Sequence, residues 1–80
     1  MARVYVDSDG DLWLSEGDYG KDKNGVWNVR PPKSHTGEIP DHKVVEHEDG
    51  TITVSPSILT DWGTEPYWHG YLIRGEWSEF

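Results

Sequence analysis

Glycine turns recur along this chain and limit what it can fold into. Four short apolar segments each follow one. Ser-Asp-Gly precedes 11–14, Lys-Asn-Gly precedes 26–29, Glu-Asp-Gly precedes 51–54, and Arg-Gly precedes Glu76 and Trp77. Asp-Gly and Asn-Gly suit positions of positive φ, where glycine has no Cβ to clash, and they mark tight hairpins. The residues that follow are β-branched or aromatic, which favours strands. No stretch joins helical periodicity to length and freedom from Gly and Pro, and 57–61 has room for one short helical turn at most. The pattern predicts strands over 3–7, 11–15, 25–30, 43–47, 51–55, 67–73 and 76–79. Hairpins would join RVYVD to DLWLS and KVVEH to TITVS. Between them 31–42, rich in proline, reads as a long loop, because proline donates nothing to a central ladder. Long loops in small domains are either binding elements or straps over an open sheet end. The expected fold is one all-β domain over 1–80, an antiparallel meander curled into a barrel or sandwich. The turns share a local device but differ in spacing, so they do not make a solenoid.

A chain of 80 residues buries only about 60–65% of its unfolded surface, so its core is thin. With no cysteine, neither disulfides nor thiolate–zinc sites can support it. Five Trp, four Tyr and one Phe are therefore expected to fill an aromatic core. Fifteen Asp and Glu against seven Lys and Arg give a formal charge of −8, which repels nucleic acid and anionic membranes. No apolar run reaches membrane-spanning length, and the first residues form no signal peptide. A cytoplasmic protein with a protein partner is the expectation.

Candidate chemistry begins at 6–18, VDSDGDLWLSEGD. Asp7, Asp9, Asp11 and Asp18 fall at positions one, three, five and twelve of a calcium loop. Position six, however, needs glycine for its sharp bend and holds Leu12, and a strand precedes the loop where a helix should. These aspartates read as a hairpin tip, with a weak cation site or a basic partner surface as the functional alternatives. His42, His47 and His69 are weak metal candidates, since either of the first two could approach the third if the strands pair suitably. Their spacing matches no compact ligand motif, so no metal or other cofactor is expected. Ser55 and Ser57 flank Pro56 without a nucleophile elbow, and the chain reads as non-enzymatic. The C-terminal quarter concentrates the aromatics. In a strand over 67–73, Tyr67, His69 and Tyr71 share one face, and Trp68, Gly70 and Leu72 the other. A small β domain cannot easily bury both, so Trp62, Tyr67, Trp68 and Tyr71 are candidate protein-binding residues alongside Asp7, Asp9 and Asp11. On that reading Trp68→Ala or Tyr71→Ala weakens partner binding and spares the fold. The alternative is that these rings close the barrel.

TITVSPSIL, Trp62 and PYWHGYLIRGEW together resemble the C-terminal signature of an uncharacterised family of short phage and bacterial proteins. The matches are Ser55, Pro56, Ser57, Ile58, His69, Gly75 and Trp77, within about residues 50–78. Relatives often add cysteines, implying a metal site shared with the histidine; this chain has none, which leaves His69 architectural. The resemblance implies a phage or prophage origin and no activity. The expected function is then that of a small acidic phage-encoded module, an accessory factor binding or inhibiting a host protein in the host cytoplasm. A virion component (capsid decoration or tail-associated protein, docked or oligomerised through edge strands) is the alternative. A metal-dependent enzyme using His42, His47 and His69 is the third.

Overall fold

The computed structural model describes residues 3–60 and 68–80. One turn geometry recurs in it three times. The residue opening each turn, Asp7, Asp22 or His47, accepts a hydrogen bond from the N–H of Gly10, Gly25 or Gly50, each at 3.0 Å. The same residue donates its own N–H to the carbonyl of Asp11, Val26 or Thr51, at 2.8–2.9 Å. The three glycines have φ of 81–87°, the left-handed geometry that ends a type I turn with a one-residue bulge. Side chains complete each turn in the same register. The opening residue bonds a side chain six positions on: Asp7 to Trp13, Asp22 to Asn28, His47 to Thr53.

These turns organise two antiparallel meanders. In the first sheet, β1 (Tyr19–Lys21), β2 (Trp27–Val29) and β3 (Gly37–Glu38) lie in chain order. In the second, β4 (Lys43–Glu46), β5 (Ile52–Thr60), β6 (Trp68–Ile73) and β7 (Glu76–Glu79) do the same. No helix occurs among the described residues, and the chain is all-β as the turn pattern predicts. Both sheets feed one core. Tyr19, Val29 and Ile39 come from the first sheet and its C-terminal edge; Ile52, Val54, Ile58, Trp68 and Leu72 come from the second. Trp27, Val44 and Trp77 pack against this cluster half-buried. Aliphatic side chains therefore share the core with the aromatics rather than leaving it to them.

The expected strands at 3–7 and 11–15 do not form. After the Asp7 turn the two arms bond elsewhere: Val4 N–H to the Tyr19 carbonyl at 2.9 Å, and the Leu14 carbonyl to Arg30 Nη1 at 3.0 Å. Tyr5 and Trp13 remain exposed while Leu14 is buried; the arms share the backbone bond of Asp7 N–H to Asp11 at the turn, and an isolated two-stranded ribbon is marginal in water. Arg3 keeps a single parallel bridge to Tyr19. The proline-rich segment is more ordered than a loop. A turn at 31–34, closed by Ser34 N–H to the Pro31 carbonyl, leads into β3, and Ile39 then enters the core.

Candidate protein-docking face

β6 alternates strictly: Trp68, Gly70 and Leu72 are buried, while His69, Tyr71 and Ile73 are exposed. Period-two side-chain direction puts the first set on the core and the second on the outer face. Trp68 is 4% exposed and meets Trp77 edge-on at 5.3 Å. It is core, so the expectation that it forms part of an exposed patch is corrected, because the inner face of β6 has the first sheet to pack against. Tyr71 is exposed. Trp62 and Tyr67 lie outside the described residues.

Around Tyr71 an apolar surface assembles. Phe80 sits against the Tyr71 ring at 5.0 Å and the His69 ring at 4.1 Å. Leu59 lies directly across from His69, and cross-strand partners share a face. Leu59, Tyr71, Ile73 and Phe80 are 53%, 39%, 51% and 69% exposed, so an apolar patch of several residues faces solvent. Leu59, Ile73 and Phe80 are the members that sequence reasoning missed. Ile73 was readable from its period-two relation to Tyr71, whereas Leu59 needed the register of β5 on β6. That register shifts between Val54 and Ile58, around the cis Ser55–Pro56 bond, which no residue pattern encodes.

The three histidines do not gather into one cluster among the described residues. His42 Nε2 lies 3.1 Å from the Ser57 carbonyl and must donate to it, since a carbonyl only accepts. His69 Nε2 lies 3.2 Å from Ser57 Oγ, so the serine touches both rings. His47 is bonded at 2.7 Å to Thr53 Oγ1, which also accepts the Arg74 N–H. No cluster of three metal-binding groups among the described residues includes a histidine. The Ser57–His69 hydrogen bond is exposed.

Asp7, Asp9 and Asp11 do gather, with ligand atoms within 4.8 Å of one another and all three residues exposed. Asp7 is already committed to the turn, accepting the N–H groups of Asp9 and Asp11 at 2.9 Å and the Trp13 indole at 3.2 Å. The Asp11 N–H leads in holding the Asp7 carboxyl below its ordinary range. Acids also line an open depression of about 460 Å³ at the β4–β5 turn, where Glu46, His47, Glu48 and Asp49 face Arg74. Compared with family models, with curated proteins and with solved structures, the chain gives no match.

Proposed function

We propose that this chain is a protein-binding module that docks its partner on the outer face of the β4–β7 sheet. The observation that carries this is the exposed apolar cluster of Leu59, Tyr71, Ile73 and Phe80 opposite the core. Small soluble domains seldom leave contiguous apolar surface unused, and aromatics in such patches supply most of an interface's binding energy. We read the module as a non-enzymatic accessory factor of a phage that occupies a host protein in the host cytoplasm. That source rests on the resemblance within residues 50–78. Surface charge of −8 favours a basic partner over nucleic acid.

The test is affinity capture from host cells with the wild-type chain and with a variant carrying both Tyr71→Ser and Phe80→Ser. A partner held by the wild type and lost by the variant, at unchanged thermal midpoint, supports the reading. Equal recovery by both removes it. Stoichiometric copies in purified virions would move the role to a structural component.

A further inference from the structure

β7 ends the second sheet, and its ladder fixes which backbone groups it leaves free. Phe80 donates its N–H to the His69 carbonyl at 2.8 Å, so those two residues form a hydrogen-bonded pair. In an antiparallel ladder such pairs alternate with non-bonded ones. Given the register Gly70↔Glu79, Tyr71↔Ser78, Leu72↔Trp77 and Ile73↔Glu76, the backbone groups of Trp77 and Glu79 point away from β6. Among the described residues nothing pairs with them. This open edge adjoins the apolar face directly, because Phe80 follows it and rests on Tyr71.

Edges of this kind invite another strand, and charge selects which one. Glu76 and Glu79 are exposed along β7. A second copy carries the same charge of −8, so two such chains repel each other on approach. Glu79 pairs with Gly70 and so shares its face, whereas Glu76 pairs with Ile73 on the outer face. A strand with lysine or arginine on the Glu79 side would place its alternate apolar positions on the outer face beside Phe80 and Tyr71.

We infer that β7 accepts an extended basic, apolar-alternating segment of a partner protein as a fifth strand, hydrogen-bonded to Trp77 and Glu79. The inference rests on the outer face being the docking surface and adds the binding mode and the partner's chemistry. The probe is a short synthetic peptide alternating lysine and leucine, with a glutamate–leucine peptide as its counterpart. Amide exchange at Trp77 and Glu79 should slow with the lysine peptide and not with the glutamate one.

Glu79→Pro deletes an outward donor without touching a β6–β7 ladder bond. It should weaken the lysine peptide by about tenfold, and Glu79→Gln by less. The same peptide N-methylated at alternate residues should bind the wild type as weakly, which keeps the test sharp if the proline variant folds poorly. No slowing at Trp77 and Glu79, or unchanged binding of the N-methylated peptide, overturns the inference. If Tyr71→Ser weakens the peptide while N-methylation does not, the docking face stands and the fifth strand falls. If neither matters, both fall. Slowing that follows protein concentration without peptide would assign the edge to a second copy and also overturn the inference.

Discussion

Asp22 shows how one carboxylate closes a turn. Its Oδ1 accepts the Asn24 N–H at 2.9 Å and the Val26 N–H at 3.0 Å, while Oδ2 takes the Asn28 amide at 3.2 Å. These bonds favour the charged form, that from Val26 most, and lower the carboxyl from its ordinary 3.8. Asp7 is lowered chiefly by the Asp11 N–H and Asp49 chiefly by the Thr51 hydroxyl. A lowered folded pKa means that the unfolded chain binds more protons in the window below 3.8. The stability these groups contribute is therefore present above that value and lost as pH falls through the folded pKa. Denaturation midpoints should drop on acidification from about pH 5 downward. Asp22→Asn, which keeps one acceptor oxygen for the Asn24 and Val26 N–H groups and removes the titration, should flatten part of that limb; an unchanged limb would mean that Asp22 does not contribute to it. Gly70 is constrained by space instead. A Cβ there would meet the Ser78 carbonyl oxygen, with Glu79 Cα and Trp68 Cη2 each at 2.8 Å. Two of these neighbours are backbone and cannot swing aside. Gly70→Ala should cost about 1–3 kcal/mol in chemical denaturation, toward the upper end.

At the scale of the strand, β6 separates two kinds of aromatic. Trp68→Ala empties a core position and should cost about 3–5 kcal/mol. Tyr71→Ser lies on the outer face and should leave the thermal midpoint nearly unchanged, so thermal melts of the pair test the face assignment directly. Which residues share a face was legible, because alternation in WHGYLI is a period-two signal. Which face is buried was not, because that depends on where the first sheet packs. The glycine turns, β4, β6, β7 and the first half of β5 were legible for the same local reason, whereas 57–60, where the sequence left room for a helical turn, continues β5. β1 and β3 were hidden: Tyr-Gly-Lys and Gly-Glu carry no apolar run and become strands only through pairing with β2. The reverse holds at the N-terminus, where 3–7 and 11–15 alternate but bond to Tyr19 and Arg30 instead of forming a ladder with each other.

Joining the two meanders is a task for the whole molecule, and Arg3 takes a central part in it. Its guanidinium lies 4.9 Å from the Tyr5 ring centre and 4.6 Å from that of Trp27. It also reaches Glu46 Oε1 at 3.4 Å and the Gly50 carbonyl at 3.5 Å on the second sheet. Lys21 approaches the same glutamate at 3.7 Å from β1. The Arg3 side chain is only 12% exposed, so its contacts are less screened than those of a surface ion pair. From the other side, the Trp77 indole donates to the Gly17 carbonyl at 2.8 Å. A planar cation that stacks on rings while spreading its donors is poorly replaced by an ammonium. Arg3→Ala should therefore cost about 1–3 kcal/mol, and Arg3→Lys should recover little of it. Because the contact joins sheets rather than strands, hydrogen exchange should quicken more in β1 and β2 than in β5 and β6. Uniform quickening would instead mean that the two meanders open together and that Arg3 acts on the common core.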